Sequence, residues 1–331
     1  MFHFDPDAVL TEHRNGASII PAVQQAVDQI CNQGYSSIFY IGIGGTYLYA
    51  SQMLYIAREL GSRLPLHLEN AAEFCLMPNP HFDQNSLVVI ESVSGDTKEL
   101  VEAVGKAKAA GARVLGYVEN RESPLYHQVD YPISTVGGGY YFWYTVTLRL
   151  MNRAGEFDAY DRFIQQLARM PENVVEIYRA SDAKAEAFAK AYCDAPLTYL
   201  VGSGNLKDWA VCYGMCIMEE MQWMRTRPVS ASDFFHGTLE VIERDCVLLL
   251  IKGEDSTRPM MDRVERFAEK ICANVTVFDT RDYALQGVDD EFRGILSPLV
   301  MRSAFQRLST HLEHCRRHTL AFRRYYRRLD Y

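Results

Sequence analysis

The chain has 331 residues, of which 48% are hydrophobic, and a formal net charge of −8. This length is sufficient for two domains of ordinary size, and the composition is typical of a protein with a large buried core. The negative charge disfavours a nucleic-acid partner, and no apolar run reaches the ~18–20 residues that span a bilayer.

The eight cysteines form no CxxC pair, and the first residues, MFHFDPDAVL, lack the basic and apolar segments of a signal peptide. Both features favour a reduced, cytoplasmic protein. Cys212 and Cys216 are predicted to pack as small hydrophobic side chains rather than to bind a metal.

Short apolar runs alternate with helical patterns in the first half of the chain. The runs at 37–43, 86–91 and 112–118 are predicted to be strands buried on both faces. Alternation of strands and helices predicts an α/β fold, with a parallel sheet flanked by helices on both faces.

The same pattern recurs in the second half of the chain. Residues 197–204 are similar to 38–45, residues 246–257 are similar to 87–97, and 274–279 take the place of the third strand. This weak internal repeat predicts two copies of one α/β domain.

The boundary between the two copies is predicted near residue 155. The first domain is then 1–155 and the second is 156–331. The segment 155–195 is polar with a helical pattern, and we expect it to connect the copies and to pack on the second.

A turn rich in hydroxyl groups, SVSGDT, follows the second predicted strand and precedes a predicted helix. Helix capping by a side-chain oxygen is one explanation, but it accounts for one hydroxyl better than for three. A helix N-terminus with Ser92, Ser94 and Thr97 around Gly95 is also suited to bind an anion such as phosphate.

A second polar turn, GIGGT, ends the first predicted strand and places Thr46 after Gly44 and Gly45. Since parallel strands end at the same edge of a sheet, Thr46 is predicted to lie beside the serine turn. A turn that only requires glycine is the alternative. In the second copy the corresponding turn carries Glu254 and Asp255, which would repel a phosphate, so the anion site is predicted in the first copy only.

The segment MCIMEEMQWM at 215–224 is predicted to be a helix with Glu220 and Trp223 on one apolar face. Its neighbour Glu219 is predicted to be more solvated. A carboxylate on an apolar face is suited to proton transfer, whereas a structural glutamate bonded to backbone or arginine is the alternative. His236 follows in SDFFHGTLE, where a histidine beside aromatic residues is most simply a packing or surface residue.

SVSGDT resembles the SxSGxT phosphate loop of the sugar isomerase (SIS) domain. Two such domains with only the first loop intact resemble the isomerase half of glucosamine-6-phosphate synthase and the fructosamine-6-phosphate deglycases. The resemblance implies two tandem SIS domains, each a parallel sheet flanked by helices on both faces. It implies that the sugar 6-phosphate is held by Thr46, Ser92, Ser94 and Thr97, with Gly45 and Gly95 as further substrate-binding positions.

EMQW followed by FFHG is similar to the catalytic segment of these deglycases. The similarity implies that Glu220 is the general base and His236 a general acid/base. Asp233 stands where the family usually has glutamate, and Thr238 stands where it usually has proline. Neither departure removes a group that transfers protons.

Two further features resemble the deglycases more than the synthase. The synthase uses one lysine a turn before the catalytic glutamate and another near its C-terminus. Here Ile217 occupies the first position, and no lysine follows Lys270. The C-terminus, HTLAFRRYYRRLDY, resembles the Arg-Arg-Tyr tail of the deglycases. Arg323 and Arg324 are candidates to capture the amino-acid carboxylate of a substrate, and a solvated or interface role is the alternative.

The resemblance implies a phosphosugar deglycase that cleaves a 6-phosphofructosyl or 6-phosphoglucosyl amino acid into a hexose 6-phosphate and the free amine. It implies no metal and no organic cofactor, because the nitrogen of the substrate acts as the electron sink. A phosphosugar aldose–ketose or amino-sugar isomerase is the first alternative, and a regulator that senses sugar phosphates without turnover is the second. The sequence does not identify the amine.

The resemblance also implies a homodimer with shared active sites. In such a dimer His236 of one subunit acts with Glu220 and the phosphate loop of the other. The aromatic pair that precedes His236, Phe234 and Phe235, is suited to an interface.

Overall fold

The structure is a computed structural model that describes residues 1–77 and 79–330. It consists of two compact units. We call Asp7–Pro171 the first domain, and Met1–Pro6 together with the chain from Glu172 onwards the second domain. The boundary predicted near residue 155 falls inside the first of these units.

The first domain begins with two helices and then alternates strands with helices. Its elements are α1 (Pro6–Ser18), α2 (Ile20–Gln33), β1 (Ile38–Gly42), α3 (Gly45–Glu59), β2 (Leu66–Asn70), α4 (Ala71–Leu76), β3 (Leu87–Ser92), α5 (Lys98–Ala109), β4 (Arg113–Val118), α6 (Pro124–Gln128), β5 (Tyr131–Ile133), α7 (Gly139–Arg153) and α8 (Tyr160–Leu167). These strands form one parallel sheet in the order β2-β1-β3-β4-β5.

The central strands of this sheet are buried on both faces, as their continuous apolar sequences predict. In β1, Phe39 and Ile41 pack in a cluster with side chains of α5. Tyr40, between them, points to the opposite face, where its ring centroid lies 5.0 Å from that of Trp143 in α7. Helices therefore cover both faces of the sheet, and the predicted α/β fold is confirmed.

Helix α8 explains why the first domain extends beyond residue 155. The ring of Phe163 in α8 lies 5.9 Å from that of Tyr144 in α7, and both side chains are fully buried. The guanidinium of Arg149 lies over the ring of Tyr160 at 5.2 Å. This part of the polar segment packs on the first domain, whereas the sequence had predicted that it packs on the second.

The second domain repeats the alternation with more irregular helices. Its helices and strands are α9 (Met170–Tyr192), β6 (Thr198–Gly202), α10 (Lys207–Cys212), β7 (Thr226–Ser230), α11 (Ala231–Phe234), β8 (Val247–Lys252), α12 (Arg258–Ile271), β9 (Asn274–Asp279) and α13 (Asp290–Arg316). A π-helix, Tyr213–Glu219, follows α10, and short 3-10 helices are formed by Gly204–Leu206, Thr238–Val241 and Thr280–Asp282.

The sheet of the second domain has the order β7-β6-β8-β9 and is parallel throughout. This order matches β2-β1-β3-β4 of the first domain, so the internal repeat predicted from the sequence is present in the topology. Apolar side chains of β6 and β8 pack with those of α11 and α12 in a single core cluster.

The first residues of the chain are held by a buried arginine of α13. Arg307 is 1% exposed, and it donates to the carbonyl oxygens of Phe2 at 2.6 Å and His3 at 3.3 Å. Its charge is balanced by Asp182 of α9 at 2.7 Å. Among residues 1–77 and 79–330, every helix is too short or too polar to cross a bilayer.

Candidate functional site

The hydroxyl-rich turn of the first domain connects β3 to α5. Ser92, the last residue of β3, is 4% exposed, and its Oγ accepts a hydrogen bond from the backbone N–H of Gly95 at 2.9 Å. Thr97 is the N-cap residue of α5, yet within the described chain its side chain makes no capping hydrogen bond. Capping therefore does not account for the Thr97 hydroxyl, which stands at the N-terminus of a 12-residue helix.

Gly95 is required by the shape of this turn. It has a φ of +71°, and a Cβ at this position would lie 1.9 Å from Oγ of Ser123. The next loop also holds the turn, because Leu125 N donates to Gly95 O at 3.1 Å and Asn120 Nδ2 donates to Ser94 O at 3.3 Å. The turn is consequently a fixed structure with backbone N–H groups at a helix N-terminus.

The second predicted phosphate element lies at the start of α3. Gly44 precedes the helix with a φ of 57°, and the hydroxyl of Thr46 donates to the carbonyl oxygen of Ile43 at 3.1 Å. Since β1 and β3 are parallel neighbours with Ile41 opposite Ile90, both turns leave the same edge of the sheet. The expected proximity of the Thr46 turn and the serine turn follows from this register.

The corresponding turn of the second domain contains its own anion. The carboxylate of Asp255 accepts hydrogen bonds from the backbone N–H groups of Asn205 and Thr257, both at 2.9 Å. Glu254 forms two hydrogen bonds with the guanidinium of Arg293, each of 2.9 Å. Donors that could bind a phosphate in this turn are therefore occupied by a side chain of the protein.

The helix that carries Glu220 differs from the predicted one. Residues Tyr213–Glu219 form a π-helix, and its bonding continues with Glu220 N donating to Met215 O at 3.0 Å. Trp223 ends the segment with a φ of 54°. The predicted α-helical face that joins Glu220 to Trp223 is therefore wrong, because the wider turn changes which residues align. Local π-helices are frequent at functional sites.

The two neighbouring carboxylates have different environments. Glu219 is exposed and accepts hydrogen bonds from Thr226, through Oγ1 at 2.5 Å and N at 3.3 Å. The side chain of Glu220 is 32% exposed, and its Oε1 lies 2.8 Å from Nε of Arg323 in the C-terminal tail. An arginine partner for Glu220 is what the alternative of a structural glutamate predicted, but the sequence did not indicate that Arg323 is this partner.

The loop with His236 is anchored by the aromatic residues that precede it. Phe234 is fully buried, Phe235 packs against the same core, and the guanidinium of Arg263 lies 3.9 Å from the centroid of the Phe235 ring. The expectation that this pair forms an interface is wrong for Phe234, because the core of its own domain buries it. His236 itself is exposed, and its N–H donates to Asp233 O at 2.8 Å.

The tail arginines contact the end of the π-helix. Arg324 is exposed, and its guanidinium stacks 4.1 Å from the centroid of the Trp223 ring. Arg323 pairs with Glu220. Sequence reasoning had connected both arginines with a substrate, or with a solvated or interface role, and not with Glu220 or Trp223. No group of three or more potential metal ligands occurs in residues 1–77 and 79–330.

Known proteins share this architecture. Residues 33–154 match the family model of the SIS domain. The chain is 28% identical over 326 residues to fructosamine deglycase FrlB of Bacillus subtilis (strain 168), with 95% of this chain and 98% of that protein covered. It is 22% identical over 312 residues to fructoselysine 6-phosphate deglycase of Escherichia coli (strain K12), with 93% and 90% covered.

Solved structures share the fold of this chain. A Bacillus subtilis protein described as a phosphosugar isomerase superposes with a TM-score of 0.90 at 25% identity, covering 94% of this chain and 97% of that one. The C-terminal domain of glucosamine-fructose-6-phosphate aminotransferase from Francisella tularensis superposes with a TM-score of 0.76 at 15% identity, covering 96% and 97%. The second match concerns the fold alone. The predicted fold class is confirmed, and the SIS match that the sequence predicted is found in the first domain.

Proposed function

We propose that the protein is a phosphosugar deglycase that releases an amine from a 6-phosphofructosyl or 6-phosphoglucosyl amino acid. The observation that carries this proposal is the hydroxyl-rich turn at the N-terminus of α5, where the Thr97 hydroxyl is not used for capping. A helix N-terminus with hydroxyl groups favours a phosphate. The 28% identity to a fructosamine deglycase over 95% of the chain supports the reaction.

In the proposed reaction the first domain binds the 6-phosphate of the sugar. The ligands are Thr46, Ser92, Ser94 and Thr97, with Gly45 and Gly95 bringing the backbone close to the substrate. Binding energy from this remote phosphate aligns the reacting carbons. The proposed reaction therefore requires a phosphorylated substrate.

Glu220 and His236 of the second domain move the protons. His236 assists opening of the sugar ring, and Glu220 removes a proton from C1 of the ketoamine while the C2 oxygen is protonated, which gives an enaminol. Glu220 then returns a proton to C2, and the C1–N bond becomes an imine. Water adds to C1, the C–N bond breaks, and the amine leaves with a proton. The nitrogen of the substrate stabilises the intermediates, so the scheme uses no metal or organic cofactor.

A phosphosugar isomerase is the second candidate, because the superposition at a TM-score of 0.90 is with a protein described in that way. An isomerase would perform the same proton transfer and stop before hydrolysis. A panel of 6-phosphofructosyl amino acids, assayed for glucose 6-phosphate release, separates the two. We expect release of the amine from at least one member and slow turnover of the unphosphorylated analogues. Interconversion of phosphosugars without any release of amine would favour the isomerase.

We further propose a homodimer in which Glu220 of one subunit acts with His236 of the other. The exposure of His236 and of large side chains of the tail, Phe322 at 49% and Tyr325 at 60%, supports an interface between copies. Glu220→Ala and His236→Ala homodimers should each be nearly inactive. An equal mixture, unfolded and refolded, should regain roughly a quarter of wild-type activity, since half of the dimers have one intact site. An exchanged mixture that stays inactive would contradict the shared site.

The cytoplasmic location stays a prediction, and all eight cysteines are free thiols.

A further inference from the structure

The first residue of helix α12 shows where a cation at that position reaches. Arg258 begins α12 directly after its N-cap residue, Thr257. Its Nη1 donates to the carbonyl oxygen of Gly253 in the turn after β8, at 2.8 Å, and to Oδ1 of Asp279 at 2.9 Å. The guanidinium therefore lies over the turn at the N-terminus of its own helix, where a carboxylate of the chain neutralises it.

Lys98 is the equivalent residue of the first domain. Helix α5 begins at Lys98 after β3 ends at Ser92, and α12 begins at Arg258 after β8 ends at Lys252, so the two turns have the same length. The Cα–Cβ bond of a helical residue is tilted toward the N-terminus of the helix. A long side chain at the first helical position consequently extends toward the turn in both domains.

The carboxylate that neutralises Arg258 has no counterpart in the first domain. Asp279 lies opposite Lys252 in the register of β8 and β9. In the register of β3 and β4, Val118 lies opposite Ser92, and its side chain is fully buried in an apolar cluster. An apolar residue thus stands in the first domain at the position of the carboxylate.

The ammonium of Lys98 has no partner in the part of the chain that the structure describes, and the residue is exposed. Glu119 is the next carboxylate along the chain after β4. It accepts instead from the hydroxyl of Tyr117 at 2.8 Å and from the N–H of Gly137 at 3.2 Å. The charge that Asp279 neutralises in the second domain is therefore not neutralised by described residues in the first.

A phosphorylated substrate supplies the anion that this arrangement requires. A phosphate ester carries a charge of about −1.5 to −2 at pH 7, whereas the proposed ligands in the turn are neutral hydroxyl and N–H groups. The helix N-terminus contributes only about half of a positive charge. A cation at the start of α5 is unfavourable beside the helix dipole alone, but a phosphate between the two makes both interactions favourable.

We propose that Lys98 is a further phosphate-binding residue, whose ammonium contacts the 6-phosphate of the substrate over the turn after β3. It takes the place there that the guanidinium of Arg258 takes over the turn after β8. The inference rests on the proposed function and adds a cation to a site otherwise built from hydroxyl and N–H groups. The site then selects for charge, so a phosphate ester is preferred to an ester with a single negative charge.

The test compares binding of glucose 6-phosphate and glucose 6-sulfate, measured by titration calorimetry. The wild-type protein should bind the phosphate more tightly than the sulfate. Lys98→Met should weaken binding of the phosphate by about 3- to 30-fold, since an exposed ion pair is weaker than a buried one but stronger than no pair. It should weaken binding of the sulfate less and so reduce the preference. Lys98→Arg should keep most of the affinity, because it retains the cation.

Lys108→Met is the matched control. Lys108 is an exposed lysine of the same helix that pairs with Asp130, and it lies about 15 Å along the helix from Lys98. Its replacement removes the same charge and should leave both affinities at the wild-type values.

An unchanged affinity in Lys98→Met would overturn the inference, and the proposed function would stand because the wild-type protein still binds the phosphosugar. An equal loss for phosphate and sulfate, shared by Lys98→Arg, would also overturn it, because the residue would then support the helix rather than the charge of the ligand. If the wild-type protein binds glucose 6-phosphate no better than glucose, the phosphate site fails, and the inference falls with the proposed function.

Discussion

The turns that follow β3 and β8 stand at equivalent positions in two sheets of the same strand order, yet they treat an anion in opposite ways. After β8, the carboxylate of Asp255 accepts the N–H groups of Asn205 and Thr257. After β3, Gly95 N donates to the hydroxyl of Ser92, and Thr97 stands at the helix N-terminus without a capping bond from its side chain, within the part of the chain described here.

This difference shows how a duplicated scaffold can divide its tasks. A turn of backbone N–H groups attracts an anion in either domain, and the second domain supplies that anion from its own sequence. Its turn is closed further by Arg258, which donates to Gly253 O at 2.8 Å and to Asp279 at 2.9 Å. The turn after β8 is therefore not available to a phosphate. The second domain instead contributes Glu220 and His236 in the reaction that we propose.

Replacing the proposed general base should have the largest effect. Glu220→Gln should reduce turnover by about 10²–10⁴-fold, the usual contribution of a general base, while substrate binding through the first domain is retained. The measurement is steady-state kinetics with a cleavable phosphofructosyl amino acid. Glu219→Gln is the matched control, and its amide oxygen can still accept from Thr226. Equal losses in the two variants would show that Glu220 has no special role.

The next prediction concerns the turn after β3, which contains Ser94 and Thr97. Ser94→Ala combined with Thr97→Val should weaken phosphosugar binding by about 2–4 kcal/mol, because two hydrogen bonds to a charged group are lost. Titration calorimetry with the substrate or with a hexose 6-phosphate measures this change. Thr257→Val removes a hydroxyl at the equivalent helix start in the turn after β8, which we call the closed turn. This variant should bind the phosphosugar with unchanged affinity. An affinity that depends on Thr257 instead would reverse the assignment of the two turns.

Substitution of Asp255 in the closed turn should lower the stability of the protein rather than its affinity for the substrate. Asp255→Ala leaves two partly buried N–H groups without their acceptor and should lower the free energy of unfolding by about 1–3 kcal/mol. Urea unfolding monitored by circular dichroism provides the comparison. Asp245→Ala removes the same charge at an exposed position and should cost much less. An Asp255→Ala variant with an unchanged free energy of unfolding would mean that water replaces the carboxylate without penalty.

Most of the fold was predictable because its strands are unambiguous in sequence. β1 and the first four residues of β3 are continuously apolar, and only a sheet covered on both faces buries such runs in five- and six-residue strands. The internal repeat gave the second sheet. The domain boundary was less accessible, because α8 has a polar composition and only its buried Tyr160 and Phe163 show where it packs.

The serine turn was also accessible, since its residues are consecutive in the chain. The π-helix was not, because its bonding has no sequence pattern of its own and because the close approach of Gly214 to β7 is a tertiary contact. A Cβ on Gly214 would lie 2.9 Å from Thr226 Oγ1 and 3.0 Å from Pro228 Cγ in β7. The pairing of Glu220 with Arg323 joins residues far apart in sequence, and only the position of the tail brings them together.

The smallest predicted effect is the response of the closed turn to acid. Burial would raise the pKa of Asp279, but the hydrogen bonds from Arg258 and from the backbone N–H of Arg281, together with the charges of Arg258 and Lys252, outweigh it and hold the pKa below its ordinary value. A carboxyl group whose pKa is lowered by folding contributes stability that is present above its unfolded pKa of ~3.9 and is lost as the pH falls through the lower folded value. Asp279→Asn cannot ionise and lacks this contribution at every pH. The difference in unfolding free energy between wild type and Asp279→Asn should therefore be constant from pH 7 to about 5 and shrink as the pH falls from about 4 towards 2. Urea unfolding at each pH measures it, with the exposed Asp245→Asn as the control that should show little change. A difference that stays constant into strong acid would show that the charge of Asp279 does not stabilise the turn.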